Sequence, residues 1–150
     1  MTDANTRPRL VPELKVADIA QSLAFWRDLL GFSVRFDRPE EGFAYLDLEG
    51  AEIMLDQRGT GPLERRGIWE TGPMERPFGR GINLQINCSD YNGMLARLAA
   101  AGLPIYFGPE ERWYRTGDKE TGVRQLLVQD PDGYLVRLQQ VIGNRPVPPG

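Results

Sequence analysis

The sequence contains no histidine. That absence excludes Ser-His and Cys-His nucleophile pairs, the HExxH zinc site and every His-ligated iron or zinc centre. A single cysteine, Cys88, excludes an internal disulfide and a thiolate metal cluster, and fits a reducing cytoplasm. A metal would be left with carboxylate and amide oxygens alone, a set suited to magnesium, calcium or manganese. No apolar run approaches the ~20 residues of a membrane span. The first seven residues lack the apolar stretch of a secretion signal, so the chain is expected in the cytoplasm and off the membrane. Eighteen basic against 21 acidic residues give a net charge of −3. This balance argues against a nucleic-acid partner and permits a cationic small molecule.

What is present is ordinary globular material with an internal repeat. The chain has 150 residues, 41% of them hydrophobic, enough for one domain over 1–150. Leu10, Leu14 and Val16 alternate with Glu13 and Lys15, as Ile82, Ile86 and Cys88 alternate with Gln85 and Asn87. Each run has the period of a strand and ends in an acid, Asp18 or Asp90, placed to cap a helix. Behind Asp18 the apolar residues Ile19, Leu23, Phe25, Trp26, Leu29 and Leu30 recur at helical spacing up to Gly31. Behind Asp90, Met94, Leu95, Leu98 and Ala101 do the same up to Gly102.

Strand-like runs follow each helix, at 32–37, 43–48 and 52–56 in the first half and at 104–107, 125–128 and 134–139 in the second. Gly50 and Gly133 match as turn glycines of two-residue hairpin loops. The caps are offset by 72 residues (18 to 90) and the glycines by 83 (50 to 133), so the second half carries 11 more. The polar stretch 108–122 is the natural place for them. The expected organisation is a first βαβββ module at 9–57, a connecting loop at 58–80 with little regular structure, a second module at 81–141 and a tail at 142–150. Modules this small should pair into one α+β domain, eight strands curved into a cup with two helices outside.

The tandem βαβββ repeat resembles the vicinal-oxygen-chelate superfamily of glyoxalases, extradiol dioxygenases, fosfomycin-modifying enzymes and bleomycin-resistance proteins. The resemblance covers 9–141. It rests on Val16-Ala17-Asp18-Ile19, on Ser22 to Phe32 with Trp26 where tyrosine is usual, and on Asp130-Pro131-Asp132-Gly133-Tyr134. The family's four metal positions project onto Val11, Met54, Asn83 and Arg137. Valine has no donor, a thioether suits hard cations poorly, and arginine carries a fixed positive charge. No metal and no cofactor are therefore expected. The similarity is nearest to the bleomycin-resistance branch, which implies a homodimer that holds a drug in interface grooves.

Two uses of the strand residues stand side by side. Glu13, Lys15, Asp47, Glu52 and Asp56, with Gln85 and Arg137, occupy alternate positions on one sheet face. Such a face is either simply solvated and self-paired, or the wall of a polar cavity for a cationic or amide-rich guest. Tyr45, Trp69, Trp113 and Tyr114 are candidates for stacking on planar rings. Tyr45 fits the cup floor equally well, and Trp69 and Trp113 fit a dimer contact equally well. The ligand set expected from these residues is Glu13, Tyr45, Asp47, Met54, Trp69, Asn83, Trp113 and Arg137, with no catalytic residue. The expected function is sequestration of a bleomycin-like antibiotic by a metal-free homodimer. The alternative is a metal-independent lyase or isomerase, with Glu13 or Asp56 as base and Arg137 as oxyanion partner. A third option is a pure interaction role, with the cup plugged by side chains.

Overall fold

The structure, a computed structural model, describes residues 8–149. The chain divides into two compact units, Met1–Phe78 and Gly79–Gly150. The first holds strands β1 (Glu13–Val16), β2 (Ser33–Arg38), β3 (Phe43–Leu48) and β4 (Ala51–Gln57), with helix α1 (Ile19–Leu23) between β1 and β2. The second holds β5 (Asn83–Asn87), α2 (Tyr91–Ala100), β6 (Phe107–Thr116), β7 (Lys119–Gln129) and β8 (Leu135–Pro146). The sheets share one topology, β1-β4-β3-β2 and β5-β8-β7-β6. In each, the first strand runs parallel to the last and the remaining pairs are antiparallel. The architecture is α+β, two four-stranded mixed sheets with a helix apiece.

The period-two pattern sorts each sheet into two faces. In the first unit Leu14, Val16, Ala44, Leu46, Ile53 and Leu55 are buried beside α1, which packs on β4. Trp26 is fully enclosed, with its ring edge-on to Phe25 at 5.3 Å and to Phe32 at 5.5 Å. In the second unit Ile86, Leu126, Val128, Val136 and Leu138 lie beside Met94 and Leu98 of α2. Cys88 is buried there with its thiol 3.7 Å from the Met94 sulfur.

Both caps form as their sequence requires. Asp18 accepts from the Ala20 and Gln21 N–H groups, and Asp90 accepts from Gly93 N–H. Gly102, with φ of 68°, closes α2: its N–H donates to Ala99 and that of Leu103 to Leu98. The first helix departs from expectation. After Leu23 it widens into a π-helical stretch, Ala24–Leu29, in which Leu30 N–H donates to the Phe25 carbonyl five residues back. The extra residue per turn lets Phe25, Trp26 and Leu30 all be buried.

The second half differs from the expected pattern in four ways. Residues 104–106 are not strand, and residues 108–122, the place of the additional residues and outside the expected strands, are regular, because β6 and β7 form one long hairpin turning at 117–118. The 11 additional residues lengthen a hairpin that in the first unit is made of two six-residue strands. The turn at Gly133 spans 130–134, whereas Glu49 and Gly50 form the expected two-residue loop with φ of 50° and 94°. The longer turn forms because the buried Asp130 carboxylate accepts from the N–H groups of both Asp132 and Tyr134 at 2.9 Å. Strand β8 runs past residue 141 to Pro146, pairing with the lengthened β7. The connection 58–80 is irregular apart from a 3-10 turn at Leu63–Arg65. No helix among the described residues is long and apolar enough to cross a membrane.

Candidate functional site

The repeat is exact at the level of strand register. Glu13 of β1 faces Met54 of β4, and Gln85 of β5 faces Arg137 of β8. Extending each row across its sheet gives Glu13–Met54–Tyr45–Phe36 in the first unit and Gln85–Arg137–Leu127–Phe107 in the second. The neighbouring rows are Lys15–Asp56–Phe43–Arg38 and Asn87–Gln139–Gln125–Glu110. What is charged in the first unit is largely amide in the second. The Lys15–Asp56 ion pair has its counterpart in a 2.8 Å hydrogen bond from Gln139 to Asn87.

The second unit's face carries a cavity of about 220 Å3, lined by Asn83, Phe107, Glu110, Tyr114, Gln125, Leu127, Leu135 and Arg137, with Leu126 behind them. Gln125 is 6% exposed, and its amide nitrogen donates to Glu110 Oε1 at 2.9 Å and to Tyr114 Oη at 2.7 Å. Its carbonyl oxygen Oε1 has no hydrogen-bond partner. Arg137 donates through Nη2 to Gln85 Oε1 at 2.6 Å, and its Nε has no partner. Buried polar groups are normally satisfied, and each one left unmade costs about 1–3 kcal/mol. Both atoms are sealed from water inside the packing of the face, as are Ser22 Oγ, Glu52 Oε1 and Tyr91 Oη elsewhere among the described residues, so the cavity is marked by its aromatic and amide lining rather than by these atoms.

The first unit carries a second cavity, of about 190 Å3, between the sheet face and the loop after β4. Its walls include Glu13, Lys15, Arg38, Asp56, Arg65 and Trp69. Arg58 holds Glu70 by two hydrogen bonds, 2.8 and 3.1 Å, and so pins the loop. Arg38 stacks on Phe43 at 4.0 Å. Partial burial raises the Glu13 carboxyl above its usual range and Asp56 adds to this, while Lys15 and Arg38 pull it back. Glu13 as a residue is exposed, so water screens much of the effect.

The structure brings together some of the expected ligand residues and not others. Asn83 and Arg137 share the second unit's cavity, and Glu13 and Trp69 share the first unit's. Met54 is half-buried between Glu13 and Tyr45 in its row. Tyr45 is buried and stacks on Phe36 at 4.8 Å. Asp47 accepts from Gly50 N–H at 3.0 Å and so steadies the β3–β4 turn. Trp113 lines neither cavity; its ring lies over Gly122, with the Arg145 guanidinium 4.2 Å above it. The residues missed from sequence are Gln125, Glu110 and Arg38. Gln125 was legible as a lone amide alternating with Leu126 and Val128, but nothing in sequence revealed that its carbonyl would go unpaired.

The donor chemistry does not fit a divalent metal. The positions projected from the resemblance, Val11, Met54, Asn83 and Arg137, offer one thioether, one amide oxygen and one fixed cation, and register sets Met54 beside Glu13 and Arg137 beside Gln85 rather than beside Val11 and Asn83. No group of three or more His, Cys, Asp or Glu among the described residues could hold an ion.

Comparison with known proteins completes the picture. The sequence model of the Glyoxalase/Bleomycin resistance protein/Dioxygenase superfamily matches residues 10–138. The chain is 25% identical over 134 residues to virulence protein STM3117 of Salmonella typhimurium, covering 86% of this chain and 81% of that protein. The crystal structure of that protein is similar with a TM-score of 0.63, over 90% of this chain and 98% of that one. TioX from Micromonospora sp. ML1 is similar in structure with a TM-score of 0.63 at 23% identity, over 89% and 98% of the two chains. An integron cassette protein from the V. cholerae mobile metagenome gives 0.61 at 20% identity, over 93% and 97%. The last two likenesses concern the fold alone.

Proposed function

The chain belongs to the Glyoxalase/Bleomycin resistance protein/Dioxygenase superfamily, and from that premise we propose that it binds and sequesters a small molecule without a metal. The ligand class proposed is a bleomycin-like antibiotic, held by a homodimer in the cytoplasm. The observation that carries the reading is the second unit's cavity of about 220 Å3, which sets the apolar Phe107, Leu127 and Leu135 beside the polar Asn83, Glu110 and Tyr114. An affinity function needs such groups and needs no nucleophile. The dimer is supported by the exposed apolar side chains Tyr106, Phe107 and Val141, and by β6 lying at the edge of its own sheet.

A thermal-shift titration with a bleomycin-type glycopeptide tests the reading. Ligand at 100 times its dissociation constant stabilises by about 2.7 kcal/mol, a clear rise in Tm. An unchanged Tm at high micromolar glycopeptide would sink it.

One observation favours the second reading, a metal-independent lyase or isomerase. A carboxyl raised toward neutrality, as at Glu13, is a better general base than an ordinary one. Asp56 is engaged by Lys15, which leaves Glu13 as the base in that reading. Turnover that survives EDTA and disappears in Glu13→Gln is its signature.

A further inference from the structure

The first unit's cavity differs in chemistry from the second's. We propose that it takes the acid group of a ring-bearing oxyanion, a carboxylate or a phosphate monoester, with Arg65 and Arg66 on the anion and Trp69 against the ring. This goes beyond the sequestration reading and does not depend on the second unit's cavity.

The pairing of charges along the walls is the first step. Four acids line the cavity, Glu13, Glu41, Asp56 and Glu70, with four bases, Lys15, Arg38, Arg65 and Arg66. Lys15 takes Asp56, Arg38 takes Glu41 at 2.7 Å, and Arg58, from outside the lining, takes Glu70 at 2.8 Å. Three ionic groups are left over. The Arg65 side chain has no ion pair or hydrogen bond among the described residues. Arg66 gives one N–H, from Nε, to the neutral Gly61 carbonyl at 3.1 Å. Glu13 is the third, and burial together with Asp56 disfavours its charged form. Two guanidinium groups thus stand against one weakened carboxylate, a surplus that favours an anion.

The uncommitted groups are within reach of a guest. Glu13, Arg65, Arg66 and Trp69 are all exposed residues, Trp69 to 56%. Gly61 is itself part of the wall, so its bond to Nε holds the Arg66 guanidinium there with the Nη donors unspent. That planar fork matches the paired oxygens of a carboxylate or phosphate. Of the two aromatic residues in the lining, Phe43 is already covered by the Arg38 guanidinium at 4.0 Å. Trp69 has no ring or cation partner among the described residues, which leaves its indole for the guest. The segment that carries these groups is held at both ends. Thr60 Oγ1 lies 2.6 Å from the carbonyl oxygens of Glu41 and Gln57, and Glu70 accepts two hydrogen bonds from Arg58. Groups held in place lose less freedom when a ligand binds. At about 30 Å3 per water, 190 Å3 holds roughly six waters, so one ring and its acid group fill the cavity.

Benzoate, phenyl phosphate, benzamide and benzylamine share a ring and span negative, neutral and positive headgroups. Each is titrated into the full chain and followed by NMR at the indole N–H of Trp69, assigned with Trp69→Phe. Both acids should shift that signal and bind at least about tenfold tighter than benzamide or benzylamine. The tighter of the two acids tells a carboxylate site from a phosphate site. Arg65→Gln should weaken the acids several-fold, and the double variant with Arg66→Gln should weaken them further. Arg65 is exposed and its side chain has no partner among the described residues, so the single variant tests the site even if the double variant fails to fold. Glu13→Gln removes a like charge and should tighten both acids. Benzamide or benzylamine binding as tightly as the acids would overturn the proposal. So would unchanged acid affinity in Arg65→Gln, or weaker acid binding in Glu13→Gln. A glycopeptide that raises Tm while neither acid binds refutes this inference alone. Acid binding at Trp69 with no glycopeptide response refutes the antibiotic reading and leaves the inference standing.

Discussion

The Arg145 guanidinium lies 4.2 Å from the centre of the Trp113 ring, and the same ring covers Gly122. A Cβ at residue 122 would come within 2.7 Å of the indole, so the glycine is there because the ring is. Trp113 is thus a clamp across the β6–β7 hairpin. Trp113→Ala should cost about 1–3 kcal/mol of stability, through lost burial and the cation–π contact. Gly122→Ala alone should cost a similar amount by overpacking, about 1–3 kcal/mol. In a Trp113→Ala background it should cost far less. Urea denaturation of the two single variants and the double variant measures this coupling, and additive losses would mean the ring does not dictate the glycine.

Asp130 holds the 130–134 turn with one carboxylate oxygen shared by two N–H groups. Asp130→Ala would leave both donors inside a turn whose acceptor is 5% exposed, a loss of about 1–3 kcal/mol for each unsatisfied group. Asp130→Asn keeps an acceptor in the same place and should recover most of that loss. Chemical denaturation of the two variants separates the roles of acceptor and charge. Equal losses would show that the charge, rather than the geometry, holds the turn.

The repeat was legible because period two and period 3.6 are written into apolar positions such as Leu14, Val16, Ile86 and Leu98, and because Asp18, Asp90, Gly50 and Gly102 punctuate them. The register rows follow directly from the same alignment: Glu13 with Met54, Gln85 with Arg137. The long β6–β7 hairpin was not legible, because its strands are mostly exposed and polar and show little apolar alternation; their pairing depends on partners far along the chain. The candidate site was half legible. Asn83 and Arg137 came from the repeat, whereas the role of Gln125 depends on Glu110 and Tyr114 converging on its nitrogen from β6. Trp113 drew notice as an aromatic outside the repeat, yet its environment is set by Gly122 and Arg145.

Helix α1 is only five residues of α geometry before it widens, so its first turn depends on its cap. Asp18→Ala removes the acceptor for two first-turn N–H groups and should cost about 1 kcal/mol, within the 0.5–2 kcal/mol range of such changes. Asp18→Ser, which keeps a capping oxygen, should lose markedly less. Melting curves of the two variants give the comparison, and equal losses would assign the effect to charge near the helix start rather than to the hydrogen bonds.

Glu13 supplies the pH-dependent prediction. Its carboxyl is raised by burial first and by Asp56 second, so the folded chain holds that proton more tightly than the unfolded chain does. Linkage then fixes the sign. Whatever stability the group adds is present below the unfolded carboxylate value and is lost as pH rises through the higher folded value. Glu13→Gln has no proton to release there. The variant should therefore melt above the native chain at neutral pH, and the gap should close as the buffer is taken down through and below the usual carboxylate range. Because the residue is exposed, the difference should be small and should shrink further with added salt. Paired melts of the two proteins from about pH 7 down to about pH 3 measure it. A gap that widens on acidification would mean the folded state prefers the ionised carboxylate, and Glu13 would lose its standing as a candidate base.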